Sequence, residues 1–467
     1  MKSSFRHFWS SLGIALGILA LTQPALAKTR AHKASTQGPT ALEYQQRLDE
    51  LEQRQKILER NIELKDEQEK EKAKERPIVK AGPDGISISS ADGNNELRFK
   101  GLLQLDGRFF FERGGLSLNN TFLARRVRPW IEGKFFKRFE FRIMPDFGNN
   151  QVVLQDAYIN TVIFPQLKAQ FGKYKTPFGI ENLQNEAFSH WTERGLTNQL
   201  VPNRDLGVML HGEVLDGVFA YQIGVFNGVP DNQSADLDSN NAKDFVGRVF
   251  AQPFKKTSIE PLQKLGFGVA GTNGHQSGNE KTPNLASYKT AGQNTFFSFR
   301  NDGTPAGTTV ANGDRWRVSP QGYYYYKGLG ILSDYVVSSQ GVTLGPDSAQ
   351  ITNKAWQVEA SYIFGADNGY GQILPRKPLG WKHGGAGAFE VLARYGELSV
   401  DKDAFPIFAD PTKSAQKAKE FGAGFNWYIN QNVKLMVDFN QTRFDGGAKV
   451  GNRPTEYVIV NRYQLYF

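Results

Sequence analysis

Basic side chains recur at every second position in several stretches of the chain, and this spacing could serve the binding of anions. Arg98 and Lys100 form one such pair, and Arg126 and Arg128 form another. A guanidinium group can hold an oxyanion such as phosphate through two parallel hydrogen bonds. Alternate residues of a β-strand point to the same face. The spacing therefore predicts strands whose cations line one wet surface.

The residues between these cations are apolar, so the opposite face of each strand must avoid water. In 97–111, Leu97, Phe99 and Leu103 share that face. The segments 121–135 and 138–147 repeat the alternation, although Arg125 interrupts it. In 121–135 we expect Leu123 to lie on the apolar face. Apolar residues outside and polar residues inside are typical of a barrel that spans a membrane.

The same alternation predicts sixteen strands, an even number that closes an antiparallel barrel with both ends on one side. We therefore predict an all-β fold, a 16-stranded antiparallel transmembrane β-barrel, in which the last strand pairs with the first. The predicted strands are 97–111, 121–135, 138–147, 152–163, 167–175, 205–214, 217–227, 243–253, 264–273, 315–326, 328–339, 353–364, 386–397, 418–429, 432–443 and 456–467.

The connections between these strands differ in length, which separates the two ends of the barrel. Tight turns are expected at 136–137, 164–166, 215–216, 327 and 430–431. Long loops are expected at the other end, at 176–204, 228–242, 274–314, 365–385 and 398–417. Short turns on one side and long loops on the other are the pattern of outer-membrane barrels.

The segments before the barrel have other compositions. Residues 1–27 resemble a secretory signal peptide, with basic residues, a short apolar core and the small-residue exit Ala25-Leu26-Ala27. We expect 28–40 to be flexible, 41–76 to form a short periplasmic coiled-coil helix, 77–96 to be a linker and 97–467 to be the barrel. The helix prediction rests on a heptad seam, Tyr44, Leu48, Leu51, Gln55, Leu58 and Ile62. A single solvated helix is the alternative.

Composition narrows the function classes. The chain has 467 residues, a formal net charge of +9 and no cysteine, so thiolate metal sites and disulfides are excluded. Its basic residues do not cluster as they do in nucleic-acid-binding proteins, and we expect no nucleic-acid partner. No G-x-S-x-G, H-E-x-x-H or Walker A motif occurs. We expect a protein that is not an enzyme and that needs no cofactor or metal.

The selectivity of a pore depends on its charges and on whatever narrows it. Strand parity places nearly equal numbers of cations and carboxylates in the lumen, which favours a mild anion preference. The segment 176–204 is long enough to fold into the barrel and carries Arg194 and Arg204. An external loop that only caps the barrel is the alternative. The loop at 274–314, with Phe296 and Phe297, could cover the mouth or contact a neighbouring molecule.

Several motifs together resemble the phosphate-selective porin O and P family. They are Ala124-Arg125-Arg126, Leu154-Gln155-Asp156-Ala157-Tyr158, Phe171-Gly172-Lys173-Tyr174-Lys175-Thr176-Pro177-Phe178-Gly179, Ser319-Pro320-Gln321-Gly322-Tyr323-Tyr324 and the terminal Phe467. The resemblance implies a homotrimer of sixteen-stranded barrels that passes small anions such as phosphate. It also places Arg125, Arg126 and Lys173 near the anion path. The residues predicted to line that path are Arg125, Arg126, Arg128, Arg142, Lys173, Lys175, Arg194, Arg98 and Lys100.

These observations predict an outer-membrane porin of a Gram-negative-type bacterium, surrounded by outer-membrane lipid. Its function would be passive diffusion of small solutes with a preference for phosphate-like anions. The alternative is an envelope-organising protein whose coiled coil binds peptidoglycan or a periplasmic partner. Deleting 41–76 would separate the two hypotheses, because only the second requires that segment.

Overall fold

A computed structural model describes residues 40–111, 118–238, 240–380 and 384–467. The predicted signal peptide at 1–27 lies outside these ranges, as does the predicted flexible segment at 28–40 apart from its last residue. The chain divides into two compact units, Met1–Lys72 and Ala73–Phe467.

One long helix, α1, spans Ala41–Glu75. It begins with half of a capping box, because the backbone N–H of Thr40 donates to the carboxylate of Glu43 at 2.9 Å. Ion pairs one turn apart support its exposed faces, as between Glu50 and Arg54. Pro77 follows its end and disfavours helical geometry in the residue before it.

The predicted seam of α1 is open to solvent. Leu48 and Leu51 are 59% and 61% exposed, and Leu58 is 61% exposed. The helix is therefore confirmed, whereas its pairing with other helices stays a prediction. Among the described residues, no helix is both long enough and apolar enough to cross a membrane.

The segment predicted to be a linker contains a β-hairpin. Strands β1 (Ile78–Gly82) and β2 (Gly85–Ser89) pair with each other. Strand β2 also pairs with the start of the first barrel strand, where Ile86 lies opposite Phe99. The hairpin thus extends the sheet at that edge of the barrel.

Within the described residues the main sheet has 18 strands, and all except β1 and β2 close into a barrel. The sixteen antiparallel strands predicted from the sequence are therefore confirmed. They are β3 (Glu96–Phe110), β4 (Thr121–Phe135), β5 (Phe139–Asp146), β6 (Val153–Phe164), β7 (Leu167–Lys175), β8 (Arg204–Val214), β9 (Phe219–Phe226), β10 (Asp244–Ala251), β11 (Leu265–Ser277), β14 (Val310–Tyr326), β15 (Leu329–Leu344), β16 (Asp347–Phe364), β17 (Ala388–Ser399), β18 (Ala415–Tyr428), β19 (Val433–Gly446) and β20 (Glu456–Tyr466).

The last strand closes the barrel against the first. β20 pairs with β3 from Val458 opposite Phe110 to Tyr466 opposite Leu102. Gly101 and Phe467 extend this ladder with two reciprocal backbone hydrogen bonds of 2.9 and 3.0 Å. Neither strand keeps an open edge over this length, which removes the tendency of edge strands to associate.

The two faces of the wall carry the residues that alternation predicts, with one shift in β4. Gln104 pairs with Arg126 and Leu105 with Ala124, so Arg125 is the extra residue of a β-bulge. The bulge reverses parity on its far side. Leu123 therefore lies opposite Asp106 on the lumen face. Its predicted place on the lipid face was wrong.

The tight turns are confirmed at one end of the barrel, called the turn end here. Phe136 and Lys137 have φ of 51° and 62°, and Leu215 and Asp216 have φ of 53° and 56°. Two residues with positive φ match the twist of the flanking strands in a hairpin. The opposite end of the barrel is called the loop end.

One long connection lies at the end opposite to the predicted one. Strand β16 runs from the loop end to the turn end, so the link between its end at Phe364 and Ala388 lies at the turn end. At the loop end, β15 and β16 are joined by a tight turn at Gly345, which has a φ of 57°. The alternation in both strands continues past their predicted ends, and these longer strands leave only a short turn between them.

Two further strands lie in the loop between β11 and β14. β12 (Ser287–Lys289) and β13 (Thr295–Ser298) form a small separate hairpin. The side chains of Phe296 and Phe297 in this hairpin are fully buried. Of the two predicted alternatives, the hairpin packs against its own barrel, because Phe296 lies 5.9 Å from the ring of Phe444.

Candidate functional site: a basic constriction

The segment between β7 and β8, called the constriction loop here (176–203), folds into the barrel. The amide of Gln464 donates to the backbone oxygen of Ala187 at 2.9 Å. Thr192 donates its backbone N–H to Asp438 at 2.7 Å. These partners belong to β19 and β20, across the lumen from the strands that carry the loop. The alternative of an external cap is therefore excluded.

Local sequence explains how the loop turns inward. Gly179 has a φ of 77°, a left-handed conformation that glycine adopts without strain. The short helix α2 (Ile180–Leu183) follows it, and a 3₁₀ turn spans Leu196–Leu200. Phe178 and Trp191 are buried among wall residues, so apolar burial holds the loop in place.

Two cavities beside the loop meet at Arg128, Glu186 and Arg204. The cavity toward the loop end, called the loop-side cavity, has a volume of about 180 Å³. The cavity toward the turn end, called the turn-side cavity, has a volume of about 240 Å³. The three shared residues therefore lie where the two cavities meet, and this place is called the constriction here.

Cations outnumber carboxylates around both cavities. The loop-side cavity is lined by five arginines and three carboxylates, which are Arg125, Arg126, Arg128, Arg194, Arg204, Asp146, Glu186 and Glu193. The turn-side cavity is lined by four cations and two carboxylates, which are Arg128, Arg142, Lys175, Arg204, Asp156 and Glu186.

Glu186 is surrounded by four cations at the constriction. Its Oε1 lies 3.1 to 3.4 Å from nitrogen atoms of Arg128, Lys175, Arg194 and Arg204. Burial disfavours its charged form, but the four cations outweigh burial and hold the pKa of Glu186 well below its usual range. Arg128 and Arg204 also pair with Asp146 and Asp156, at 2.6 and 2.8 Å. The four cations therefore share three carboxylates, which leaves a net positive charge.

The bulge in β4 gives the two neighbouring arginines different partners. Arg125 pairs with Glu193 of the constriction loop at 2.5 Å. Arg126 donates instead to the amide oxygen of Gln104 at 2.6 Å. Among the described residues, no carboxylate lies within ion-pair distance of Arg126. Its charge therefore acts on the loop-side cavity without a direct counter-ion.

The structure brings together six of the nine predicted path residues. Arg125, Arg126, Arg128 and Arg194 line the loop-side cavity, and Arg128, Arg142 and Lys175 line the turn-side cavity.

The other three predicted residues lie outside both linings. Lys173 is buried against Asp236 of the loop between β9 and β10. Arg98 pairs with Glu96 at 2.9 Å near the turn end. Lys100 lies close to Tyr466, with its Nζ 5.7 Å from the ring centre. Strand parity alone does not show how far along the barrel axis a residue lies from the constriction.

Two residues of the constriction were not among the predicted path residues. Arg204 begins β8 and pairs with Asp156 at 2.8 Å. Glu186 lies in the constriction loop, far in sequence from its partner Arg128. The Lys173-Tyr174-Lys175 motif directly before the loop gave a partial indication of the constriction. Its last residue, Lys175, lines the turn-side cavity beside Glu186.

Comparison with known proteins identifies the family. A family model described as phosphate-selective porin O and P matches residues 98–467. The chain belongs to this family. Porin O of Pseudomonas aeruginosa (strain ATCC 15692) is 23% identical over 399 residues, which cover 77% of this chain and 86% of that protein.

A solved structure has the same fold. The outer-membrane channel DcaP of Acinetobacter baumannii matches with a TM-score of 0.52 and 11% sequence identity, over 80% of this chain and 98% of that chain. The protein is therefore an outer-membrane porin, a channel located in the outer membrane.

In this porin the opposite part of the lumen is packed. Residues of the constriction loop, the β12–β13 hairpin and the inner faces of β15 to β19 form one apolar core. This core includes Phe178, Leu200, Tyr288, Phe296, Phe297, Val336, Ile351, Leu398 and Phe444. The loop-side and turn-side cavities instead lie on the side of β4 to β8.

Arg394 in the packed part of the porin is surrounded by carboxylates. Arg394 lies 2.9 Å from Glu420, 3.5 Å from Glu359 and 3.8 Å from Glu181. Its guanidinium also lies 4.4 Å from the ring centre of Trp191 in the constriction loop. Arg394 therefore fixes the loop to the wall.

The link between β16 and β17 supports the constriction loop from the turn end. The hydroxyl of Tyr370 donates to the backbone oxygen of Ile180 at 2.5 Å. Gln184 donates its side-chain amide to the backbone oxygen of Tyr370 at 2.9 Å. Tyr370 stacks on Tyr323 of the wall with ring centres 5.2 Å apart. The link between β16 and β17 thus connects the constriction loop to the barrel wall from the turn end.

Proposed function

We propose that the porin passes small solutes by passive diffusion and prefers anions, phosphate-like anions among them. The observation that carries this proposal is the excess of cations at the constriction, with Arg126 lacking a carboxylate partner among the described residues. A fixed positive charge in a narrow lumen raises the local concentration of anions and repels cations. The family description, phosphate-selective porin O and P, fits this proposal.

The test is the reversal potential of the purified porin in a planar bilayer under a KCl gradient. We expect a potential that favours chloride and a chloride current that added phosphate reduces. Arg126→Gln should lower the anion-to-cation permeability ratio. Arg98→Gln is the matched control, because this substitution removes the same charge at a residue that lies outside both cavities. A wild-type porin that prefers K⁺ would overturn the proposal.

We also propose that three copies assemble, as the family resemblance implies. Strands β5, β9 and β10 have eight residues each, whereas a transmembrane strand needs about 9–11 residues. A second copy packed against this part of the wall would replace lipid beside these short strands. A native mass three times that of the chain in detergent supports the proposal, and a monomeric mass contradicts it.

A second candidate function concerns α1. We propose that α1 lies in the periplasm and forms a coiled coil, because Leu48, Leu51 and Leu58 expose more than half of their surface. In the envelope-organising hypothesis this seam binds peptidoglycan or a periplasmic partner. A variant that lacks 41–76 should keep its conductance, and cells that carry it should lose envelope integrity. Unchanged resistance of these cells to detergent would count against the second function.

A further inference from the structure

Apolar side chains line the turn-side cavity beside its cations. Lumen-facing positions of a porin are normally polar, because they contact water. Here the lining includes Leu102, Trp130 and Met144 on one side and Tyr158, Tyr174 and Met209 on the other. Apolar groups that face a water-filled channel need a physical explanation.

The constriction loop explains only the first of these groups. Trp130 and Met144 pack in one cluster with Ala187 of the loop, and Phe188 of the loop packs against it. The second cluster, formed by Tyr174, Met209 and their neighbours Phe226 and Val246, contains strand residues only. Tyr158 joins it, with its ring 5.9 Å from the ring of Tyr174. Among the described residues, this second cluster contains none from the constriction loop, although Leu183 of the loop lines the same cavity.

Cations lie beside both groups of apolar side chains. The guanidinium of Arg142 lies 5.9 Å from the ring centre of Trp130. Lys175 and Arg204 line the same cavity. An apolar wall beside a guanidinium or an ammonium group suits a ligand with an apolar body and an anionic head.

We propose that the turn-side cavity is a binding site for organic anions that carry an aromatic or apolar group next to a carboxylate or phosphate. The apolar group lies against Tyr158, Tyr174 and Met209. The oxyanion faces the cations at the constriction. The cavity of about 240 Å³ exceeds the ~150 Å³ of an engineered cavity that holds benzene. This inference rests on the proposed anion preference and names a class of anion within it.

The test measures how organic anions reduce the chloride current of the purified full-length porin in a planar bilayer. Benzoate is compared with acetate, and phenyl phosphate with inorganic phosphate. Each pair carries the same head group with and without an aromatic ring. We expect the aromatic anions to block at concentrations roughly ten-fold lower, because the ring gains apolar burial in the cavity.

A substitution at Met209, in the second group of apolar residues, distinguishes binding of the aromatic ring from block by molecular size alone. Met209→Gln should weaken the benzoate block about five-fold, because it places a polar amide against the ring. The acetate block should weaken less than the benzoate block, because acetate has no ring to lie against this residue. Met209→Leu is the matched control, because it keeps an apolar side chain of similar volume and should keep the wild-type block.

The outcomes distinguish this inference from the proposed function. Equal block by benzoate and acetate, or a benzoate block that Met209→Gln leaves unchanged, overturns the organic-anion site while anion preference stands. A wild-type porin that prefers K⁺ overturns the proposed function itself.

Discussion

Arginine residues have different roles on the two sides of the lumen. On the side of β4 to β8, Arg126 lines the loop-side cavity and has no carboxylate partner among the described residues. On the side of β15 to β19, Arg394 is enclosed by three carboxylates and by the ring of Trp191. An arginine without a carboxylate partner at a cavity can attract a solute. An arginine that is enclosed by carboxylates and an aromatic ring stabilises the fold instead. The first group should govern selectivity and the second group stability.

The largest expected effect comes from breaking the buried network on the packed side. Arg394→Met leaves Glu181, Glu359 and Glu420 close together without their cation. We expect the free energy of unfolding to fall by about 3–5 kcal/mol, because an uncompensated buried charge is costly. Urea unfolding of the purified barrel measures this change.

The matched variant for that experiment is Arg126→Met on the open side. Arg126 has a hydrogen bond to Gln104 and no described carboxylate partner, so we expect a loss of about 1 kcal/mol. Equal losses in the two variants would contradict the division of the lumen into a bracing side and a conducting side.

An intermediate effect is expected from two lysines that contact the constriction loop. Lys175 lines the turn-side cavity and lies 3.3 Å from Glu186. Lys434 lies on the packed side and donates to the backbone oxygen of Ser189 at 2.6 Å. A unit charge about 8 Å from a passing ion in a water-like medium contributes about 0.5 kcal/mol.

We therefore expect Lys175→Met to lower the anion-to-cation permeability ratio about five-fold, because the lost charge both attracts anions and repels cations. The measurement is the reversal potential in a KCl gradient. Lys434→Met should leave that ratio unchanged and increase current fluctuations, because one anchor of the loop is lost. A larger change of selectivity in Lys434→Met than in Lys175→Met would reverse the assignment of the two sides.

The smallest effect is expected from acid. The four cations hold the pKa of Glu186 well below its usual range. A carboxyl group with a lowered pKa stays charged as pH falls through the usual range of glutamate, and the stability that it contributes is lost only as pH falls through its lowered pKa. Anion selectivity should therefore stay constant between about pH 7 and pH 4.5, where an ordinary glutamate is already nearly half protonated.

Glu186→Gln provides the comparison for the pH experiment. It removes the negative charge at every pH and should raise the anion-to-cation permeability ratio about five-fold. If the wild-type porin approaches the selectivity of this variant already near pH 5, then Glu186 is protonated there and the four cations do not act as described.

Most of the barrel could be predicted from the local alternation of apolar and polar residues. Alternation over eight or more residues sets which side chains face lipid, so the sixteen strands and the closure of β20 on β3 follow from it. The same reasoning failed at Leu123, because a bulge at Arg125 inserts one residue and reverses parity beyond it. A bulge depends on pairing with the neighbouring strand, which period-two alternation does not contain.

By itself, the sequence determined the strands, the apolar outer face, the basic inner positions and the family. The tertiary structure alone decided which cations meet. It folded 176–203 inward, placed Glu186 among four cations and buried Arg394 against carboxylates from distant segments. Strand alternation reports the face on which a residue lies. The constriction instead depends on height along the barrel and on contacts across the lumen, which are set only when the sheet closes.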